Sequence, residues 1–139
     1  MLSRESLAKE EFKDLMVDLY DDLPGLCKGL FPDIFVADFC GIHNKIFDSI
    51  ADKDKRFKLI LAPRGFGKTS IARAVAMDAI LFHKKNFIVY ISNSAPNAIM
   101  QTETLKHDLL SNKIIRKRFG DVREAVSELS SDEMIDIGV

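Results

Sequence analysis

The sequence is short of the residues that make special architectures. Seven glycines and 4 prolines in 139 residues are too few for a collagen-like or low-complexity chain. A 47% hydrophobic content excludes disorder as a global description. Two cysteines, Cys27 and Cys40, make no disulfide framework and lack metal-site spacing. Both read as reduced thiols of the kind that folded proteins bury. No run approaches the roughly 18 uninterrupted apolar residues of a membrane span. Arg4 and Glu5 interrupt the N-terminus before a secretory h-region can form. These absences predict a soluble, cytoplasmic protein with no membrane contact.

Acidic charge is scarce in one place only. Residues 56–120 hold 12 basic and 3 acidic side chains, whereas residues 1–55 hold 7 and 12 and residues 121–139 hold 1 and 6. The net charge of −1 hides this asymmetry. A phosphate-bearing partner would be held at the basic middle. The alternative is that the acidic arms fold back over it.

Apolar spacing assigns the elements. Phe12, Leu15, Met16 and Leu19 form one helical stripe between about Ser6 and Tyr20, which Asp21-Asp22-Leu23-Pro24-Gly25 ends with turn residues. Leu26–Val36 follows no period. Asp38 can cap a helix burying Phe39, Ile42, His43, Ile46, Phe47 and Ile50. Phe57–Ala62 and Asn86–Ser92 are short apolar runs that read as strands, with a helix from Thr69 to Phe82 between them. Pro96 fits the first turn of a helix running to about Leu110. A basic helix from about Asn112 to Phe119 stops at Gly120. Met134–Val139 reads as a weak strand. Strand, loop, helix, strand, helix predicts an α/β unit with a parallel sheet flanked by helices.

The loop after the first of these strands carries the chemistry. Ala62-Pro63-Arg64-Gly65-Phe66-Gly67-Lys68-Thr69 matches G-x-x-x-x-G-K-[ST] everywhere except the first glycine. Gly65 and Gly67 permit positive φ and close approach to an anion. The amides at the helix start would point at a phosphate. Lys68 would reach the β- and γ-phosphates, and the Thr69 hydroxyl would ligate Mg²⁺. Pro63 has no N–H, so the cradle must use later amides, through Ser70. Arg64 could stabilise charge on a γ-phosphate; the alternative is an exposed loop arginine. Ser92, Asn93 and Ser94 stand at the end of the second predicted strand, where they either meet a phosphate or cap the next helix. Lys113, Arg116, Lys117 and Arg118 either complement a helix dipole or touch a DNA backbone or a neighbouring subunit.

Pro63-Arg64-Gly65-Phe66-Gly67-Lys68-Thr69-Ser70 resembles the deviant Walker A loop of bacteriophage large terminase subunits. Phe39–Phe47 looks like the helix bearing that family's adenine-side motif, with His43 where many members have Gln. His43 can equally be a core-edge histidine. Tyr90–Ala95 and the helix through Leu110 are similar to the family's second strand and following helix. The resemblance covers roughly residues 31–120. It implies a RecA/ASCE-like P-loop NTPase fold, incomplete in this chain, binding ATP and Mg²⁺.

By that resemblance the expected function is the N-terminal ATPase part of a DNA-packaging motor. A helical segment over 1–52 would precede a partial ATPase core over 53–139. Arg64 and Lys68 would be catalytic, Pro63–Ser70 and His43 would bind the nucleotide, and Thr69 would bind Mg²⁺. The expected partners are double-stranded DNA, a portal protein, a small terminase subunit and further copies in a ring on the prohead. The complete protein would also cleave DNA. No apolar strand here ends in Asp-Glu, so no Walker B motif is present, and the piece alone is expected to be inactive as a hydrolase. Rival expectations are a helicase or other P-loop motor, and a non-hydrolysing nucleotide-binding module complete at Val139.

Overall fold

The computed structural model describes residues 17–120. Most of the stripe Phe12–Leu19 and all of the weak strand Met134–Val139 lie outside these residues, as do Asp132 and Glu133. Residues 17–20 are helical. Five helices follow: α1 (Leu23–Leu30), α2 (Gly41–Ala51), α3 (Lys68–Leu81), α4 (Ala95–Ser111) and α5 (Lys113–Phe119). The chain divides into two compact units at Ile88/Val89.

In the first unit, α1 packs against α3. The α1 helix begins where the sequence pattern suggested only a break. Asp22 caps it, its carboxylate accepting the Gly25 N–H at 3.0 Å, and Pro24 occupies the first turn, where no amide hydrogen is needed. Leu26, Cys27 and Leu30 are buried on one side of this helix. Ile71, Ala74, Ala76 and Met77 are buried on α3. Apolar surface removed from water in this way stabilises a fold by about 25 cal/mol per Å². Arg73 lies over the Phe31 ring, 5.5 Å from its centroid, so its cation adds to the packing.

The far end of α3 is fastened by Lys84. Its ammonium donates to both Asp78 carboxylate oxygens, at 2.9 and 3.0 Å, and to the Tyr20 carbonyl. It also lies over the Tyr20 ring, which meets Phe82 edge-on. Burial raises the Asp78 pKa above the ordinary carboxylate value, and the hydrogen bond and charge of Lys84 oppose that rise.

Helix α2 starts at Gly41 behind Cys40, not behind Asp38. Asp38 instead pairs with Lys28 at 2.6 Å, and the Lys28 ammonium holds its carboxyl below the usual range. Ile46 and Phe47 are buried, whereas Ile42 is exposed. In the second unit, α4 begins with Pro96 in its first turn and packs against α5. Asn112 caps α5 by accepting the Ile114 and Ile115 amides, and Gly120 at φ 88° ends it.

The expected α/β fold is overturned. Among the described residues there is no β-strand, so the parallel sheet of a RecA/ASCE-like P-loop NTPase is not present. Among the described residues the two predicted strands are irregular runs without a ladder. A strand needs a neighbour for its backbone groups and a covering layer for its side chains. Here neither is supplied: Phe57, Leu59 and Leu61 are 90%, 83% and 84% exposed, and Phe87 and Ile91 are 84% and 86% exposed. Apolar, β-branched composition signalled what these runs could pair with, and pairing is the part a single run cannot contain.

Candidate functional site

The loop 62–67 and the first turn of α3 form the site. Gly65 and Gly67 both take positive φ, 91° and 64°. Gly67 is the N-cap of α3 in the left-handed conformation and has no side chain to cap with. A Cβ at either glycine would meet open space, so what these positions need from glycine is backbone freedom. The Gly67 carbonyl accepts the Ile71 N–H at 2.8 Å, the first intrahelical bond. The amides of Gly67, Lys68, Thr69 and Ser70 donate to no acceptor among the described residues. Four adjacent N–H groups at the positive end of a helix dipole form a concentrated donor set.

Two cations flank it. Arg64 is exposed and has no ion-pair partner among the described residues. The Lys68 ammonium turns back onto its own loop, donating to the Ala62 carbonyl at 2.6 Å and the Pro63 carbonyl at 2.7 Å. Both carbonyls are thereby satisfied and drawn toward Lys68. Thr69 is exposed, and Ser70 is half-buried.

His43 is brought to this loop from α2. Its ring stands 5.8 Å from the Phe66 ring and 5.6 Å from Phe39, which meets Phe47 edge-on at 4.9 Å. The aromatic cluster thus joins the loop to the buried face of α2. The Nδ1 atom of His43 accepts the Cys40 N–H at 3.1 Å and lies 3.2 Å from Cys40 Sγ. In return Cys40 Sγ accepts the His43 backbone N–H, closing a capping box built from Cys and His. Hydrogen bonds from the His43 and Ile42 amides lower the Cys40 pKa below its ordinary value. Cys40, expected as a buried thiol, is exposed, and its capping role was missed although its spacing three residues before His43 is that of a capping box.

The remaining sequence candidates have local roles. Asn93 accepts from the Asn97 amide at 2.9 Å and from the Ser92 hydroxyl at 3.2 Å, and Ser94 is the N-cap residue of α4. Arg116, Lys117 and Arg118 occupy the last turn of α5, where the helix dipole favours cations.

No protein-family model matches the chain, and no solved structure matches it. The resemblance to large terminase subunits is corrected by the architecture, because that fold rests on a sheet and the described residues are helical or irregular. With the sheet go the P-loop and Walker A labels and the expected ATPase and packaging-motor activity, since a motor needs that rigid scaffold to hold nucleotide and catalytic groups in register. The rival P-loop motor falls for the same reason. The expected cofactors, ATP and Mg²⁺, do not fit the residues present. Among the described residues no three His, Cys, Asp or Glu side chains come together to hold a metal. His43 Nδ1 is also committed to its cap. Among the described residues no helix is long and apolar enough to cross a membrane.

Proposed function

We propose that the chain is a non-catalytic binding protein that grips a phosphodiester backbone, of duplex DNA, at the loop Arg64–Ser70. The single observation carrying this reading is the uncapped start of α3. Its four adjacent amides lack acceptors among the described residues, three residues on from the exposed Arg64. Backbone N–H groups at a helix start suit a phosphate oxygen in charge and geometry, and they read no base sequence. Lys68 shapes the loop through its two carbonyl contacts and adds positive charge. The 12 basic against 3 acidic side chains over residues 56–120 provide the long-range attraction.

Fluorescence anisotropy with a labelled duplex tests this reading. Binding should be indifferent to sequence and should weaken steeply with salt. Arg64→Gln, at an exposed position, should weaken binding equally for all sequences and lower the salt slope by about 1. Unchanged affinity in Arg64→Gln, or no binding at low salt, would remove the proposal.

A further inference from the structure

The run Phe57–Ala62 is neither helical nor part of a ladder, and among the described residues none of the backbone N–H or C=O groups from Phe57 to Leu61 joins a backbone hydrogen bond. As a strand the run would place Phe57, Leu59 and Leu61 on one face, and all three are exposed. The run is not adrift: the Lys58 ammonium donates to the Ile50 carbonyl near the end of α2, and Ile60 is half-buried. An anchored, apolar, unpaired edge is a template for another strand.

Charge selects the occupant. We propose that this run pairs antiparallel with the same run of a second copy of the chain, about a twofold axis through Leu59. That register sets Phe57 across from Leu61 and Leu59 across from itself, a self-complementary apolar face. Lys58 then faces Ile60, and Arg56 faces Ala62, so no cation opposes a cation. A parallel, in-register pairing would bring Lys58, and Arg56 next to the run, beside their own copies, an arrangement that like-charge repulsion disfavours. The second apolar run, Asn86–Ser92, has no equivalent complementarity: an antiparallel pairing about Val89 sets Lys85 opposite Asn93 and Lys84 opposite Ser94.

Register-specific cross-linking tests the proposal in a Cys40→Ser background, which removes the exposed native thiol and leaves the buried Cys27. Leu59→Cys should give a covalent dimer on mild oxidation with diamide, because directly opposed Cβ atoms lie about 4.5–5.5 Å apart. Phe57→Cys should not cross-link to itself, since four residues of strand separate the two copies by about 13 Å. A mixture of Phe57→Cys and Leu61→Cys chains should cross-link. In sedimentation equilibrium the parent should dimerise, and Leu59→Asp should be monomeric with an unchanged circular dichroism spectrum. A parent that stays monomeric at every concentration would overturn the proposal. So would a dimer that survives Leu59→Asp, or equal self-cross-linking at positions 57 and 59.

Discussion

Helix α1 and the run Phe57–Ala62 both carry several large apolar side chains and have opposite fates. Leu26, Cys27 and Leu30 are buried because α3 supplies a matching face within the same unit. Phe57, Leu59 and Leu61 are exposed because nothing among the described residues supplies theirs. Hydrophobic content states a demand for burial. The partner decides whether the demand is met, and a helix, whose backbone satisfies itself, can form before its partner is found. An extended run cannot, since even its hydrogen bonds belong to a neighbour.

The largest expected effects sharpen this contrast. Leu30→Ala should cost about 2–5 kcal/mol in urea unfolding, as a fully buried side chain leaves a cavity. Leu59→Ala, measured at concentrations where the chain is monomeric, should change stability by less than about 0.5 kcal/mol. Equal losses at the two positions would break the comparison.

Next comes the Lys84 hub. Lys84→Met should cost about 1–3 kcal/mol at neutral pH by leaving the half-buried Asp78 carboxylate without its cation. The sign follows from the raised Asp78 pKa. The folded state holds the proton more tightly than the unfolded state does, so this group favours folding at low pH, and that contribution is lost as pH rises through the folded pKa. The penalty of Lys84→Met should therefore shrink on acidification, as a protonated Asp78 needs no cation. A penalty independent of pH would assign the effect to lost ring packing instead.

Smaller effects probe the loop and the caps. Gly67→Ala should cost about 1–2 kcal/mol from the left-handed backbone alone, since the space beside it is open. Asp22→Ala should cost about 1 kcal/mol by uncapping α1. Thiol labelling should separate the two cysteines at neutral pH. Cys40, exposed and lowered by its capping hydrogen bonds, should react with iodoacetamide. Cys27, pushed up to about 12 by burial and by the nearby Asp78 and Asp22 charges, should react only on unfolding. Equal rates would mean that the α1 core opens readily.

What was legible in the sequence follows the same division. Helices announced by their own punctuation could be read: Pro96 opens α4, Asn112 and Gly120 bracket α5, and the stretch without proline or glycine after Gly67 is α3. Helix α1 was hidden because Asp22 and Pro24 serve equally well as a turn or as the first turn of a helix. Asp38 was an equally good cap by type, and Lys28 took it from a distance in sequence that no local pattern shows. The sheet was misread because β-branched composition cannot name a ladder partner. At the candidate site, the helix start at Lys68 was visible in the motif. The turn of Lys68 back onto Ala62 and Pro63, and the path from Phe66 through His43 to Cys40, depend on tertiary placement.

The binding proposal stands or falls on the amides that open α3, and they can be observed one by one. In a ¹H–¹⁵N correlation spectrum titrated with duplex DNA at low salt, the Gly67, Lys68, Thr69 and Ser70 amides should shift most. Those shifts should diminish together in Arg64→Gln. Unmoved resonances at these four residues, with DNA bound and shifts concentrated elsewhere, would contradict the account.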